Sequence, residues 1–445
     1  MSVRPSSSDE VRAAVWFWPT VGVAGAFVAT LGLLTVRPSS RSSFATRAWP
    51  TDAATATSVL QGIATASMAA ASLTFSLTVV ALQLASQQFS PRLLREFARD
   101  RVIQLVMGVL ISAFVVPLTT MWGLDPDRPL PVLALLLSLG LGLASAVLLL
   151  VFIGHLVRAL RVDTMMAGVH RNTRRSILRS YPLREQDAES PGPELPGPSG
   201  GTLVPARRSG FVRTVQPAPL VALARRHGVV LNLGLRPGDA VVTGAPVASA
   251  WSDSGGPVDV DALADGVGSA VDLGPERTEE QDAGFGFRQL VDIAIKAISP
   301  AVNDPTTAAE ALSYCADLLV LLQGRRLGAQ VKRDEDGAPR AVLPDRDHRY
   351  YLDLSCAQVR RFGRDEPAVM TALLRLLRDC AVSARDDEQR DELQRQLQLV
   401  LAELSDELLA DDAAAVHDLA RRVGLALAGD IDGAYRDRAG ETRSI

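Results

Sequence analysis

The chain of 445 residues is poor in the side chains that build disulfide frameworks and metal centres, with only three cysteines and five histidines. Cys315, Cys356 and Cys380 have neither the spacing of zinc ligands nor the pairing of a disulfide scaffold, and the histidines are scattered. We therefore expect reduced thiols and no bound metal or other cofactor.

The common catalytic and nucleic-acid-binding signatures are also missing. The sequence has no phosphate-binding loop, nucleophile elbow or dinucleotide fingerprint. The net charge is -4, and no run of Lys and Arg is dense enough to bind nucleic acid. These absences predict that the protein is neither an enzyme nor a nucleic-acid-binding protein.

Charge is missing from long stretches near the N-terminus, and this absence indicates a membrane protein. A helix rises about 1.5 Å per residue, so crossing roughly 30 Å of hydrocarbon takes about 20 apolar residues. Four stretches meet this requirement, at residues 16–36, 58–84, 102–121 and 131–156. The first is too long for the core of a cleaved signal peptide, so it is expected to stay in the membrane.

The placement of arginine predicts the orientation of the four spans, because cytoplasmic loops carry an excess of Lys and Arg. Arginines are frequent in the second loop and after the fourth span, whereas the third loop has only Arg128. The first loop also carries three arginines, which weakens the bias. We expect a bacterial plasma-membrane protein with both termini in the cytoplasm. The cytoplasmic arginines would be Arg92, Arg95, Arg99, Arg101, Arg158, Arg161, Arg171, Arg174, Arg175 and Arg179.

The second span is richer in Ala, Ser, Thr and Gln than its neighbours, and this composition predicts a helix buried in protein. At about 100° per residue, six of its polar side chains fall within a strip roughly 60° wide. This polar strip consists of Ser58, Gln61, Thr65, Ser72, Ser76 and Gln83. It either packs against another helix through small and polar side chains or lines a water-filled path.

A short amphipathic helix is predicted directly after the second span. Ser90 can cap it and Pro91 can occupy its first turn, while residues 92–98 alternate arginines with Leu and Phe. Such a helix lies in the membrane interface, either as a lever acting on the second span or as an inert elbow.

The remaining chain is charged along its length and has the composition of a water-exposed protein. The predicted fold is an α-helical polytopic membrane protein with four transmembrane helices and a cytosolic α+β region. Its regions are a transmembrane domain at 1–161, a juxtamembrane helix and Pro/Gly-rich linker at 162–201, a small β-module at 202–257, a helical domain at 258–428 and a disordered tail at 429–445.

Two turns in the β-module frame a short apolar strand. Residues 236–247 read Pro-Gly-Asp, a Val-rich strand, then Gly-Ala-Pro, which resembles the half-motif of biotinyl and lipoyl-like β-sandwich domains. The carrier lysine of those domains is absent. The resemblance therefore implies a module for scaffolding or docking.

Three stretches together resemble the predicted-membrane-protein family known as domain of unknown function 2254. They are ALQLASQQFSPRLL at 81–94, RPGDAVVTG at 236–244 and QLVDIAIKAISPAVNDPTTA at 289–308. The resemblance extends from the first span to about residue 425. It implies the membrane architecture and leaves the activity open.

The family pattern gives weight to a polar segment in the helical domain. Asp292, Asn303 and Asp304 could converge to bind a cation or small ligand, because hard cations prefer carboxylate and amide oxygens. Alternatively, Asn303 and Asp304 cap a helix that begins at Pro305. In that case Asp282 and Asp292 pair with neighbouring basic residues. The weighted residues are Arg277, Gln281, Asp282, Phe285, Gly286, Gln289, Asp292, Ser299, Pro300, Asn303, Asp304 and Pro305.

Two functions remain open at this point. The protein could be an oligomeric conduit whose second spans surround a path, with the cytosolic region as its gate. It could instead be a membrane-anchored sensor or scaffold whose cytosolic region binds a ligand or a partner protein. The expected partners are therefore the lipid bilayer, further copies of the chain, and a cytosolic ligand or protein. His155, at the end of the fourth span, is either a neighbour of lipid headgroups or a proton relay.

Overall fold

The computed structural model describes residues 17–36, 52–88, 100–125, 128–184, 201–253 and 255–436. The predicted amphipathic helix at 92–98 and most of the predicted linker lie outside these residues. The chain divides into two compact units, residues 1–165 and residues 166–445.

In the described part of the first unit, four helices are long and apolar enough to cross a membrane. The prediction of four such segments is confirmed, and the ends move by a few residues. The helices are α1 at Phe17–Thr35, α2 at Ala53–Gln88, α3 at Arg101–Trp122 and α4 at Val132–Ala159.

The third helix is the central one of this unit, since α3 contacts α1, α2 and α4. In the most apolar window of α3, 56% of the residues are buried, against 22% for α2. Small side chains allow the close packing: a Cβ added at Gly108 would lie 3.3 Å from the Cα of Pro19 in α1. The expectation that protein buries the second span is therefore not met within one chain, where α3 takes that place.

The second unit is mostly helical. Six of its helices begin at an aspartate whose carboxylate accepts a hydrogen bond from a backbone N–H of the first turn, a cap worth about 1 kcal/mol. The helices are α5 at Val162–Ser180, α6 at Pro217–His227, α7 at Val260–Ala270, α8 at Ala283–Ala297, α9 at Pro305–Gln323, α10 at His348–Phe362, α11 at Pro367–Ser383, α12 at Asp387–Ala402, α13 at Ala410–Leu427 and α14 at Ile431–Tyr435.

Among the described residues of the second unit, eight strands form two sheets, with orders β1-β5-β3-β8-β7 and β4-β2-β6. All pairs are antiparallel except β3 with β8. The strands are β1 at Thr202–Pro205, β2 at Gly210–Val215, β3 at Val229–Leu233, β4 at Ala240–Val241, β5 at Pro246–Ser252, β6 at Val271–Gly274, β7 at Gln330–Arg333 and β8 at Pro339–Leu343.

The expectation that the chain is helical beyond residue 258 is wrong for β6 and for the β7–β8 hairpin. Strand β8 pairs in parallel with β3, about a hundred residues earlier, so its partner is not visible in the local sequence. A core of aliphatic side chains, including Leu220, Leu231, Val267 and Ala341, joins the sheets to α6 and α7. Non-local pairing and burial together stabilise these short strands.

The predicted disordered tail is also wrong in part, because α14 lies within it. Tyr435 packs its ring 4.3 Å beneath the guanidinium of Arg378 and bonds through its hydroxyl to Asp379 at 2.7 Å. This cation–π contact and hydrogen bond anchor α14 to α11. Residues 437–445 lie outside the described residues.

His348 at the start of α10 gives the second unit a predictable response to acid. The side chain is 8% exposed, and neither ring nitrogen has a hydrogen-bond partner among the described residues. Burial lowers the pKa of His348 from 6.5 to about 4, although the carboxylates of Asp386, Glu392 and Asp347 act in the opposite direction. The folded state therefore binds a proton less readily than the unfolded chain.

We predict that this histidine destabilises the fold as pH falls from about 6.5 towards 4, because the unfolded chain takes up the proton first. The depressed pKa corresponds to a loss of about 3 kcal/mol at the acid end of that window. His348→Gln should flatten the decline in unfolding temperature of the detergent-solubilised protein. The control is His417→Gln, at an exposed position. Equal acid sensitivity of His348→Gln and the wild type would contradict the prediction.

Candidate functional site

The polar strip lies on the surface of the first unit. All six of its side chains are exposed, while the opposite face of α2 buries Ala56, Leu60, Ala64 and Ala71. The structure therefore places the strip together on one face, as the helical spacing predicts, and directs that face away from α3.

The hydroxyls and amides of the strip differ in how they are satisfied. Ser58 donates to the backbone oxygen of Ala54 at 3.1 Å, which is the usual way for a helix to satisfy a serine in an apolar setting. Gln61 and Gln83 carry amides that have no hydrogen-bond partner among the described residues. An amide transferred to hydrocarbon without a partner costs about 4–8 kcal/mol, so these two side chains need a polar neighbour.

His155 pairs with Asp100 at 2.6 Å, and the sequence alone did not indicate this contact. Asp100 also caps α3, because its carboxylate accepts a hydrogen bond from the backbone N–H of Val102 at 2.7 Å. The pair joins the start of α3 to the last turns of α4. This contact gives His155 an ionic partner at the end of α4.

In the second unit, Asp282 is the centre of a buried ionic cluster, which we call the Asp282 clamp. The clamp comprises Asp282, Arg277, Arg346 and the Pro237–Gly238 turn. Arg277 donates to Asp282 Oδ2 from Nε at 3.0 Å and from Nη2 at 2.6 Å. Arg346 lies 3.2 Å from Asp282 Oδ1 and donates to the backbone oxygen of Pro237 at 2.9 Å. Asp282 is 1% exposed and Arg346 is 4% exposed, so both charges depend on these partners.

Local sequence explains how each member of the clamp is positioned. Asp282 is the N-cap of α8, and its Oδ1 also accepts a hydrogen bond from the backbone N–H of Phe285. Gly238 has φ +90°, and a Cβ there would lie 2.1 Å from Asp282 Oδ2. The Pro-Gly-Asp turn therefore requires glycine for two reasons: its φ is positive, and the carboxylate of Asp282 occupies the place of a side chain.

A hydrogen-bonded tyrosine pair is linked to the clamp through Asp345, the residue that precedes Arg346. Tyr181 and Tyr351 join their hydroxyls at 2.7 Å, and Tyr181 also donates to Asp345 Oδ1 at 3.2 Å. Burial raises the pKa of Asp345, which is opposed by a hydrogen bond from the backbone N–H of Arg346. Burial likewise raises the pKa of Tyr351, so both phenols stay neutral.

The three residues considered as a cation or ligand site have separate structural contacts. Asp304 is the N-cap of α9 and accepts from the backbone N–H and the hydroxyl of Thr307. Asp292 pairs with Arg288 at 2.8 Å, one turn away on α8. Asn303 has φ +50° and donates its backbone N–H to the oxygen of Ser299. Among the described residues, no group of three or more His, Cys, Asp or Glu side chains is placed to hold a metal ion.

Other weighted residues have packing roles. Gln281 accepts a hydrogen bond from the backbone N–H of Val215, which ties the segment before α8 to β2. A Cβ at Gly286 would lie 1.8 Å from Thr173 Oγ1, so this glycine lets α8 approach α5 closely. Arg346 was missed by sequence reasoning, since a single arginine in a loop has no local signal.

Gly238→Ala should lower the free energy of unfolding far more than Gly244→Ala, which is the matched control. Both glycines have positive φ, and nothing lies within 4 Å of a Cβ at Gly244. We expect Gly244→Ala to cost about 1–2 kcal/mol of folding free energy for backbone strain. Gly238→Ala should add the loss of a buried ion pair, about 3–5 kcal/mol.

The measurement is the denaturation midpoint of each variant in detergent. Unfolding is monitored by a spectroscopic signal from the second unit. Similar midpoints for the two variants would show that the clamp contributes little to stability.

Comparison with known proteins identifies relatives along most of the chain. The sequence profile of the family described as "Predicted membrane protein (DUF2254)" matches residues 12–379. A protein of Mycobacterium bovis and one of Mycobacterium tuberculosis, both described as uncharacterized, are each 32% identical over 408 residues. In each case the match covers 89% of this chain and 77% of the relative. No solved structure matches the chain. The coverage of the profile and of these relatives shows that this protein belongs to the DUF2254 family of predicted membrane proteins.

Proposed function

We propose that this protein is an oligomeric conduit of the plasma membrane, in which the second spans of several copies surround a path. The second unit would lie in the cytoplasm and gate this path. The observation that carries the proposal is the exposure of the whole polar strip on α2.

The depth of the strip supports this proposal. Ala56 and Leu60 pack in a cluster with Leu135, at one end of α2, while Ala81 packs with Ile103 near the other. The strip from Ser58 to Ser76 covers the same length of α2 as these clusters, on the opposite face of the helix. In lipid the exposed amide of Gln61 would lack any hydrogen-bond partner, so contact with water or another copy is favoured.

The composition of the exposed face favours other copies of α2 as the boundary of the path. Thr65, Ala69, Ser72 and Ser76 are all exposed and occur at spacings of three and four residues. Small residues at these spacings let helix backbones approach closely, and hydroxyls can bond between helices. A ring of α2 helices would therefore satisfy the strip from neighbouring chains and from water together.

A membrane-anchored sensor or scaffold is the second candidate, and the Asp282 clamp favours it. Over half of the chain lies in the second unit. The clamp fixes the loop before α10, the start of α8 and the turn before β4 to one another. Such a rigid body is suited to binding a ligand or partner protein even if nothing crosses the membrane. We propose no catalytic activity for it.

The orientation is part of the proposal. Arg158 lies in the last turn of α4, and five more arginines follow before the end of α5. An excess of arginine next to a span favours the cytoplasmic side. With four spans, the N-terminus would share that side.

Substitutions in the strip test the conduit. Gln83→Leu and Ser72→Leu should each reduce ion or solute flux through reconstituted vesicles by about tenfold or more, because an apolar constriction dewets a path. Ala66→Leu is the matched control, since Ala66 is exposed on α2 but lies about 80° from the strip. Flux would be measured under voltage, a gradient and membrane tension.

The absence of any flux for the wild type under all three conditions would remove the conduit and leave the sensor. Equal flux for all three leucine variants would show that conduction does not depend on the strip.

Single reporter cysteines test the orientation. Arg128→Cys, between α3 and α4, should react with an impermeant maleimide on intact cells, whereas Arg171→Cys, on α5, should react only after permeabilisation. The native background is low because Cys315, Cys356 and Cys380 are all buried. Labelling of Arg171→Cys on intact cells would reverse the proposed topology.

A further inference from the structure

Two adjoining cavities open in the second unit where α5 ends, beside α6 and β7. The first has a volume of about 400 Å³ and is lined by Arg179 and Ser180 of α5, Lys332 of β7, and Asp345. The second has a volume of about 760 Å³ and is lined largely by α6 and by residues 332–335. Pro217 and Lys332 line both cavities, so the two cavities are neighbours on either side of these residues.

Four cations that line the cavities have no ion pair with a described carboxylate, and Glu280 in the first cavity has no ion pair with a described cation. Arg179, Arg226, Lys332 and Arg333 form no ion pair with a described carboxylate; Lys332 donates to Gln330 at 2.8 Å, and Arg333 donates to the backbone oxygen of Gly337. In the second cavity, by contrast, the carboxylates are already neutralised. Asp334 accepts from Arg340 at 2.7 Å and Glu335 pairs with Arg225 at 3.2 Å. This end of the site therefore has an excess of positive charge that favours an anion.

The first cavity has different chemistry at its far end. Asp345 is a hydrogen-bond acceptor there, and Tyr181 and the backbone N–H of Arg346 already donate to one of its oxygens. Val215, Leu235 and Leu343 supply apolar wall. A carboxylate beside apolar surface suits a ligand with hydroxyl or amino donors on a ring.

We propose that the two cavities together bind a phosphorylated ligand of mononucleotide size. Its phosphate would lie among Lys332, Arg226 and Arg333, and its sugar hydroxyls or base amino group would donate to Asp345. Guanidinium and ammonium groups are the side chains that best bind phosphate. The combined space exceeds the volume of about 300 Å³ at which small-molecule pockets begin.

Binding at this site has a route to the membrane helices along the chain. Arg179 and Ser180 end α5, which follows α4 after two residues. If the protein is a conduit as proposed above, a nucleotide at the end of α5 would regulate it. The binding site itself does not depend on that function.

Calorimetry on the full-length protein in detergent, with AMP, inorganic phosphate and adenosine as separate probes, tests the site. The wild type should bind AMP saturably. Lys332→Gln should weaken the affinity for AMP by tenfold or more. Asp345→Asn should weaken the affinity for AMP and leave the affinity for inorganic phosphate unchanged. Retained phosphate binding in Asp345→Asn also shows that this variant is folded.

The control is Arg364→Gln, because Arg364 is 61% exposed and lines neither cavity; it should bind AMP like the wild type. Glycerol 3-phosphate, the core of phospholipid headgroups, tests whether the phosphate belongs to a lipid. If glycerol 3-phosphate binds more tightly than AMP, the nucleotide assignment is overturned. No saturable AMP binding at millimolar concentration, or unchanged binding by Lys332→Gln, would overturn the site. These experiments measure binding and not flux. A negative binding result would therefore not bear on the proposed conduit, and a negative flux result would not bear on the binding site.

Discussion

Hydrocarbon offers no hydrogen bonds to a side chain, and the first unit is organised around this constraint. Within one chain, α3 places its small and polar residues at the centre, where Thr120 and Ser138 meet at 3.4 Å. The polar face of α2 has no such cover, and the six side chains of the strip stay exposed. The amides of Gln61 and Gln83 have no hydrogen-bond partner among the described residues, and this is why the proposed conduit surrounds its path with further copies of α2.

The second unit depends on a different constraint, the cost of burying charge. Asp282 and Arg346 are almost fully buried, so their charges need partners. Asp282 is paired with Arg277 and Arg346, and Arg346 is paired with Asp282 and donates to the backbone oxygen of Pro237. The clamp joins segments that lie more than a hundred residues apart, from Gly238 to Arg346. The cavities next to this rigid cluster can hold a ligand in a fixed geometry, while the end of α5 connects them along the chain to the last span.

The sequence was most informative where one solvent or one local rule decides the structure. Long uncharged runs predicted the four apolar helices, and Asn-Asp-Pro at 303–305 predicted a capped helix start that Asp304 and Pro305 form. Strands β1 to β5 lie within the β-module predicted at 202–257. Each of these signals is contained within a few residues of the element it specifies.

The rest could not be predicted because it depends on partners distant along the chain. Strand β8 is paired with β3, and Arg346 has a role only because Asp282 and Pro237 surround it. The contact of His155 with Asp100 joins two helix ends that are 55 residues apart. The polar strip was predicted as a set, and the structure places its six side chains on one face. The central position of α3 within the chain was not predicted, since periodicity does not tell which neighbour a helix face meets.

Oxidative cross-linking in native membranes tests the central claim most directly, namely that other copies and water, not lipid, cover the strip. Ser72→Cys and Ser76→Cys should form disulfide-linked dimers and should react with a polar, water-soluble thiol reagent. Ala66→Cys, on the same helix but outside the strip, should do neither. Absence of both cross-linking and labelling at Ser72 and Ser76, with Ala66 behaving in the same way, would contradict the account.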